Sequence, residues 1–349
     1  MNKSEKLLVE HYQRYPKIQI RDIFKFCYQS SFGCEHMVSS LEKATDYIQE
    51  EYDNGVTEFE IEELDGDYCR VPLSYINNGL SVKTFGKLFY LSAKKEEKGK
   101  AALLKKLQIA QKLVEENKLP FNLTDFLEEK KVWEEKGFPA IHHSEIFRKN
   151  YKPVYRLISK KYVPFLPLFA ELDKRLEKGP LKMAIEGRSA SGKSSLADII
   201  ESIYICTVLH MDDFFLQPHQ RTPERFNEIG GNVDRERFLK EVLIPLSKGE
   251  KIHYRPFDCS TMQIKEGEEI ISQKLTVIEG AYSMHPDLAP YYDFSVFLDI
   301  SPDLQKQRIL KRNGQNLAKR FFEEWIPLEN KYFEYFKIKD NCDIVITVE

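Results

Sequence analysis

The sequence predicts an α/β fold in its second half, a parallel sheet with helices on both faces, preceded by a mainly α-helical domain. Five apolar runs of strand length alternate with helical segments after residue 180, a pattern typical of parallel sheets. A glycine-rich segment joins the first run to the first of these helices. The earlier part of the chain instead has apolar residues at helical spacing. Since 349 residues exceed one typical domain, the expected divisions are 1–165, a linker helix and turn over 166–180, and 181–349.

Composition and charge exclude several classes of protein. The net charge of −3 gives no support for a nucleic-acid partner. The charged N-terminus lacks the apolar stretch of a signal peptide, and no run reaches the roughly 18 apolar residues of a membrane span. The six cysteines are scattered without a C-x-x-C pair, which argues against a disulfide framework or a cysteine zinc site. We therefore expect a cytoplasmic protein with free thiols and no membrane partner, and homo-oligomerisation is left open.

The first half is predicted to consist mainly of helices, over about 4–15, 20–27, 38–52, 83–94 and 97–117. Two turns group polar side chains: one contains Glu35 and His36, and the other contains His142 and His143, followed by Arg148. His36 and His143 are candidates for a second small site, for an anion or a metal. Two histidines and a glutamate without fixed spacing are a weak metal signature, and hydrogen-bonded turn residues are the alternative. The sequence does not assign this half a role.

The glycine-rich segment 187–195 reads G-R-S-A-S-G-K-S-S and fits the phosphate-loop pattern G-x-x-x-x-G-K-[ST] at every fixed position. A predicted strand, 182–186, precedes it and a predicted helix, 193–203, follows it, as in P-loop NTPases. The glycines let backbone N–H groups point at one phosphate, and the helix N-terminus adds its positive end. Lys193 is expected to reach the β and γ phosphates of ATP, and the Ser194 hydroxyl to bind Mg²⁺. The nucleotide-binding residues are predicted to be Gly187, Arg188, Ser189, Ala190, Ser191, Gly192, Lys193, Ser194 and Ser195.

The residues that follow the other strands complete the predicted site, because ligands of parallel sheets bind beyond the carboxyl ends of the strands. Asp212 and Asp213 follow the second strand, where a carboxylate can accept the proton of an attacking hydroxyl or help to hold Mg²⁺. Glu279 ends the third strand and is the preferred Mg²⁺ ligand, with Asp299 as its rival. The remaining strands and helices are predicted over 205–209, 275–279, 294–299 and 343–348, and over 234–247, 302–312 and 316–336.

Basic residues and an insertion lie near the same edge. Arg308 and Arg312 share a helix face, where guanidinium groups could clamp phosphate oxygens; a solvated face is the alternative. The insertion 216–274 is placed to grip an acceptor. Its candidate acceptor contacts, together with Asp213, are Asp234, Tyr254, Arg255 and Asp258. Capping of the following helix explains Asp234 equally well, and a rigid hairpin is the alternative for Tyr254, Arg255 and Asp258.

The second half resembles the uridine kinase and phosphoribulokinase family of P-loop kinases. The resemblance rests on 187–195, Met211-Asp212-Asp213-Phe214-Phe215, 254–258, Ile278-Glu279-Gly280, and the segment containing Arg308 and Arg312. It implies that Asp212 is the base that activates the acceptor hydroxyl, and that the two arginines lie on a lid over ATP. The lid arginines are spaced more widely than is usual in uridine kinases. Cys259-Ser260-Thr261 also continues where that family has a histidine, so nucleoside specificity does not follow.

The expected function is transfer of the γ-phosphoryl group of ATP, with Mg²⁺, to a hydroxyl of a small metabolite, with a nucleoside as the leading acceptor. Lys193, Asp212, Arg308 and Arg312 are the expected catalytic residues, and Ser194, Glu279 and Asp212 the Mg²⁺ ligands. One alternative is a nucleotide-dependent ATPase or switch whose first half binds a partner. Another is a bifunctional enzyme with a second site at His36 and His143. The N-K-x-D and D-x-x-G motifs of GTPases are missing where they should stand.

Overall fold

The computed structural model describes residues 1–34, 38–56, 58–93 and 99–349. The chain forms two compact units, Met1–Lys174 and Arg175–Glu349. Within the described ranges, no helix combines the length and the apolar character that crossing a membrane requires. All six cysteines are free thiols.

The first unit is mainly helical in its described residues, which confirms the prediction. Its helices are α1 (Lys3–Arg14), α2 (Ile20–Phe32), α3 (Leu41–Asp53), α4 (Val82–Ser92), α5 (Gly99–Glu115), α6 (Leu123–Glu135), α7 (Glu145–Tyr151) and α8 (Leu166–Lys178). Side chains cap several of them: Asn2 accepts a hydrogen bond from the backbone of Glu5 in α1, and Ser144 accepts one from the backbone of Phe147 in α7. The helix boundaries predicted at residues 94 and 97 lie outside the described residues.

The first unit also contains a small antiparallel sheet that the sequence analysis did not predict. Its strands are β1 (Glu62–Glu63), β2 (Tyr68–Pro72) and β3 (Tyr155–Ser159), in the order β1-β2-β3. Every residue of β2 is buried, so the strand lacks the alternation of apolar and polar residues that reveals a half-exposed strand. Its central residue, Arg70, is a cation that is only 1% exposed. A buried charge in the middle of a strand makes that strand still harder to predict from the sequence.

The second unit contains the predicted parallel sheet. Its strands are β4 (Leu181–Gly187), β5 (Cys206–His210), β6 (Ile252–Tyr254), β7 (Phe257–Asp258), β8 (Gln263–Ile264), β9 (Glu268–Ile270), β10 (Leu275–Glu279), β11 (Phe294–Ile300) and β12 (Ile344–Val348). The five-stranded sheet has the order β12-β11-β4-β10-β5, and all of its pairs are parallel. The short strands β6 to β9 form two antiparallel pairs within the insertion.

Helices alternate with the strands of this sheet. They are α9 (Lys193–Ile203), α10 (Pro223–Asn227), α11 (Arg235–Phe238), α12 (Ile244–Lys248), α13 (Pro302–Arg320), α14 (Ile326–Tyr335) and α15 (Ile338–Asn341). The π-helical segments Leu239–Leu243 and Phe321–Trp325 join α11 to α12 and α13 to α14. Gly314 interrupts α13 with a φ of 68° and a ψ of 174°, a backbone conformation that favours glycine. The interruption lies in the predicted gap between residues 312 and 316.

The register of the strands brings three chain segments to one edge of the sheet. Glu279, the last residue of β10, pairs with Ile185 of β4 on one side and with His210 of β5 on the other. Beneath them, Ile278 and Leu209 belong to the buried apolar core of the unit. The loops that follow β4, β5 and β10 therefore leave the sheet side by side, at the edge where parallel sheets bind their ligands.

Candidate functional site

The phosphate loop joins β4 to α9. Gly187 has a φ of +150°, and a Cβ at this position would lie 2.6 Å from the carbonyl oxygen of Leu298, so no side chain fits there. Gly192 has a φ of +101°, and no atom lies within 4 Å of where its Cβ would be, which leaves the space over the loop open. Lys193 opens α9, and its Nζ donates to the carbonyl oxygens of Gly187 at 2.8 Å and Arg188 at 3.2 Å.

A hydroxyl and an imidazole meet at Glu279, the last residue of β10. Glu279 is 4% exposed, and its Oε1 accepts hydrogen bonds from Ser194 Oγ at 3.0 Å and from His210 Nδ1 at 2.7 Å. Burial by itself would raise the pKa of Glu279, but the hydrogen bond from His210 and the charge of Lys193 outweigh burial and lower this pKa. The same hydrogen bond raises the pKa of His210. Glu279 is therefore held as a carboxylate, beside a hydroxyl.

Asp212 lies in the turn after β5, close to these groups. Its side chain is exposed, and none of the hydrogen bonds among the described residues ends on its carboxylate. The surrounding protein still removes part of its hydration, which raises the pKa of Asp212; the charges of Glu279 and Asp213 act in the same direction, and Lys193 opposes them. A carboxylate with both oxygens available and a raised pKa is suited to accept a proton from a hydroxyl group.

Asp213 and Tyr254, two of the predicted acceptor residues, are joined to each other. The Tyr254 hydroxyl donates to Asp213 Oδ2 at 2.6 Å and accepts a hydrogen bond from the backbone N–H of His210 at 3.1 Å. These bonds tie β6 of the insertion to the turn that carries Asp212. The structure thus brings both residues to the edge of the sheet where the sequence analysis expects the acceptor.

The other predicted acceptor residues have protein partners. Asp234 is 2% exposed and caps α11, where its side chain accepts a backbone N–H at 3.2 Å. Arg255 pairs with Glu241, and Asp258 accepts hydrogen bonds from the backbone N–H and the hydroxyl of Ser260 at 2.8 Å and 2.6 Å. Helix capping accounts for the contact of Asp234, and a rigid hairpin for those of Asp258. Arg255 instead ties the insertion to the π-helical segment Leu239–Leu243.

The two predicted lid arginines differ in their contacts. Arg308 Nη1 lies 3.4 Å from the carbonyl oxygens of Ala190 and Ser191 in the phosphate loop. The guanidinium of Arg312 instead lies 5.7 Å from the ring centre of Phe321. Of these two arginines, only Arg308 contacts the phosphate loop among the described residues.

Asp299, the rival of Glu279, is engaged elsewhere. Its Oδ2 accepts a hydrogen bond from Lys339 Nζ at 2.6 Å. Of the two carboxylates, Glu279 is therefore the one in contact with the hydroxyl of Ser194.

Two buried glutamates beside the phosphate loop escaped the sequence analysis. Glu329 of α14 accepts hydrogen bonds from the backbone N–H of Ser189 at 2.9 Å and from the Ser189 hydroxyl. Glu186 is fully buried and accepts two backbone N–H groups at 2.9 Å and 3.1 Å and the Tyr332 hydroxyl at 3.2 Å. Burial raises the pKa of Glu186 to about 7 and also raises the pKa of Glu329. In the sequence, Glu186 stands out only as a carboxylate within an apolar strand, and nothing in the sequence marks Glu329.

Of the two histidines predicted for a second site, His36 lies outside the described residues. His143 is buried in the first unit, with Nδ1 3.0 Å from Asp22 Oδ1 and Nε2 2.7 Å from the Tyr155 hydroxyl. Burial lowers the pKa of His143, which favours a neutral ring. In the part of the chain that the structure describes, no three His, Cys, Asp or Glu side chains are grouped as metal ligands.

Comparisons with known proteins agree with this architecture. Residues 183–320 match the model of the Phosphoribulokinase / Uridine kinase family, which confirms the resemblance inferred from the sequence. A possible uridine kinase from Bacillus stearothermophilus is 20% identical over 50% of this chain and 99% of its own, with a TM-score of 0.38. A protein provisionally described as a fructose transport system kinase, from Silicibacter sp. TM1040, is 21% identical over 48% and 89%, with a TM-score of 0.39. No curated protein matches the sequence. With the topology of the sheet, the family match gives the second unit the fold of a P-loop kinase.

Proposed function

From the match of residues 183–320 to the phosphoribulokinase and uridine kinase family, we propose that the second unit transfers the γ-phosphoryl group of ATP to a hydroxyl of a small metabolite. A nucleoside is the first candidate acceptor. The observation that carries the proposal is the grouping of Lys193, the Ser194–Glu279 pair and the exposed Asp212 at one edge of the sheet. Phosphoryl transfer needs mainly positioning and charge stabilisation, and these groups are of the kinds that supply both.

In this proposal the phosphate loop holds the phosphates of ATP. A phosphate would bind at the N-terminus of α9, where backbone N–H groups and the helix dipole favour an anion. Lys193 donates to two carbonyl groups of the loop in this structure. Its flexible side chain can exchange these bonds for charge-assisted bonds to phosphate oxygens, which are stronger.

Ser194 and Glu279 have the chemistry of a Mg²⁺ site. Both present hard oxygen donors, 3.0 Å apart, and Mg²⁺ prefers such oxygens together with phosphate oxygens and water. Mg²⁺ bound there would neutralise negative charge on the phosphate oxygens. His210 donates to the same oxygen of Glu279, Oε1, and so keeps the carboxylate in place. Asp299 is less suited, because it is paired with Lys339.

Asp212 is the proposed base. It would accept the proton of the acceptor hydroxyl on a carboxylate oxygen, and its raised pKa makes it a stronger base than an ordinary aspartate. Arg308, in contact with the loop carbonyls, would counter the charge that develops on the transferred group. Arg312, one turn further along α13, is the second candidate for this role.

The experiment that tests the proposal measures ADP release from ATP and Mg²⁺ across a panel of nucleosides, sugars and small hydroxy acids. We expect one compound to stimulate release strongly, Lys193→Ala to abolish the stimulation, and Asp212→Asn to reduce it by about 10²- to 10⁴-fold, the usual contribution of a general base. Asp198→Asn, which removes an exposed carboxylate from α9, is the matched control and should leave the rate unchanged. Release that is indifferent to every compound and survives Asp212→Asn would instead indicate an ATPase without an acceptor.

A further inference from the structure

Three cations of the first unit lie close enough together to influence one another and His142 electrostatically. Arg21 and Lys25 are one turn apart on α2, and Arg148 is on α7. Arg21 Nε donates to the carbonyl oxygen of His142 at 2.9 Å, and Lys25 Nζ donates to that of Ile141 at 3.3 Å. None of the ion pairs among the described residues involves any of the three cations.

Two buried cations of the same unit do have carboxylate partners. Arg70 pairs with Glu62 at 2.8 Å, and Arg156 pairs with Glu51 at 2.8 Å. Arg70 and Arg156 thus form ion pairs with carboxylates, whereas Arg21, Lys25 and Arg148 form none with the described residues.

The pKa of Lys25 shows the consequence of this excess of positive charge. Its side chain is partly buried, and burial lowers the pKa of Lys25 to about 8; the charges of Arg70 and Arg148 act in the same direction, and that of Asp22 opposes them. The pKa of His142 is lowered as well, by burial and then by the charges of Lys25 and Arg148. Withdrawing an ammonium group from water without a counter-ion is unfavourable, and an anion taken from solution would supply the missing charge.

A buried hydrogen-bond network holds the cluster in place. Asp22, between Arg21 and Lys25 in the sequence, accepts hydrogen bonds from the backbone N–H and hydroxyl of Ser144 at 3.0 Å and 2.6 Å and contacts His143 Nδ1 at 3.0 Å. Asp22 is therefore committed to the segment before α7 and does not form an ion pair with Lys25. The network also fixes the chain that precedes Ser144, whose carbonyl groups bind Arg21 and Lys25.

The carboxylates on the facing helix leave the charge unbalanced. Glu129 of α6 is close enough to Arg21 for the arginine to lower its pKa, yet burial and Asp125 outweigh that effect and the pKa of Glu129 is raised. No ion pair among the described residues joins Glu129 to Arg21.

We propose that Arg21, Lys25 and Arg148 form an anion site that takes the phosphate group of a small metabolite. Guanidinium groups bind phosphate through paired N–H donors, and an ammonium group binds it as a point charge. The three positive charges exceed the two negative charges of a phosphate dianion and so can balance them. The site belongs to the first unit and does not depend on the kinase activity proposed above. It assigns a role to the turn around His143, with this histidine as a positioning residue.

The test is calorimetric titration of the full-length protein with inorganic phosphate. The phosphate loop also attracts phosphate, so every protein carries Lys193→Ala as well. We expect phosphate binding to persist in this background and to weaken at least tenfold in Lys25→Met and in Arg148→Gln. Lys149→Gln, which removes the neighbouring exposed charge on α7, is the control and should bind phosphate unchanged.

Thermal unfolding of the same proteins separates binding from folding. Lys25→Met removes a partly buried charge and also its hydrogen bond to the Ile141 carbonyl, so in phosphate-free buffer this variant should differ little in stability from its parent. Phosphate should raise the unfolding temperature of the parent but not that of Lys25→Met. The proposal is overturned if phosphate does not bind in the Lys193→Ala background, or if Lys25→Met and Arg148→Gln bind it as tightly as Lys149→Gln.

Discussion

Glu186 should make the stability of the second unit depend on pH. Its carboxyl group is fully buried at the end of β4, directly before the phosphate loop, and burial raises its pKa to about 7 from an ordinary value of 4.5. The folded protein therefore holds this proton more tightly than the unfolded chain does. Stability from this group is fully present below pH 4.5 and is lost as the pH rises through about 7.

The size of the effect follows from the difference between the two pKa values. One pKa unit corresponds to about 1.4 kcal/mol, so a difference of about 2.5 units is worth roughly 3 kcal/mol in the free energy of unfolding. Most of this change, about 2.5 kcal/mol, falls between about pH 5 and about pH 8.

Glu186→Gln should remove this pH dependence. A protonated glutamate can still accept the two backbone N–H groups and the Tyr332 hydroxyl, or donate to that hydroxyl, whereas the amide NH₂ of glutamine cannot accept. Glutamine thus leaves one of these donors poorly bonded, at a cost of about 1–2 kcal/mol at every pH. The variant should therefore be less stable than the wild type at about pH 5 and more stable above about pH 8, and the two stability curves should cross.

Urea unfolding can measure both curves for the second unit alone. Each unit contains one tryptophan, Trp133 in the first and Trp325 in the second. With Trp133→Phe in both proteins, the fluorescence of Trp325, which packs against Phe321, reports on the second unit. Groups that titrate elsewhere cancel in the difference between the two proteins. A difference that stays constant from about pH 5 to about pH 8 would refute the reasoning, because Glu186 would then have the same pKa in the folded and unfolded chains.

Two further substitutions test the hydrogen bonds made by Glu329 and by Asp22. Glu329→Leu removes the two hydrogen bonds from Ser189 of the phosphate loop to Glu329 and leaves the one from Gln305 to Ser189. The dissociation constant for ATP, measured by titration, should therefore rise about tenfold, which is about 1.4 kcal/mol. Unchanged affinity would show that the loop keeps its shape without Glu329. Asp22→Ala removes the acceptor of several buried donors, so the free energy of unfolding of the first unit should fall by at least about 3 kcal/mol. The fluorescence of Trp133 during urea unfolding of a Trp325→Phe protein measures this loss. A change below about 1 kcal/mol would contradict the prediction.

The phosphate loop could be predicted from sequence because its groups are local. Residues 187–195 carry both the glycines that the backbone requires and the side chains that the motif supplies. Asp212 and Glu279 could be found by a rule of position, since carboxyl ends of parallel strands share one edge. The structure does place His210, the neighbour of Asp212, and Ser194 in contact with Glu279.

The partners of these residues could not be predicted in the same way. Glu329 lies 140 residues from Ser189 in the chain, and no periodicity in α14 indicates that it faces the phosphate loop. Asp234 and Arg255 were candidates for the acceptor because they lie in the insertion, and their contacts with α11 and Glu241 emerge only from the fold. In the first unit, the turn at His143 attracted attention through its residue types, while its partner Asp22 lies 121 residues away.

The sequence by itself determined the alternation of strands and helices, the phosphate loop, and the edge of the sheet at which the chemistry is expected. These features depend on local backbone preferences and on the spacing of apolar residues. Only the tertiary structure decided which carboxylate contacts Ser194, why the pKa of Glu186 is raised, and that no carboxylate of the described residues forms an ion pair with Lys25. The reason is physical: the charge state of a side chain depends on its burial and on neighbours that the fold brings from distant parts of the chain.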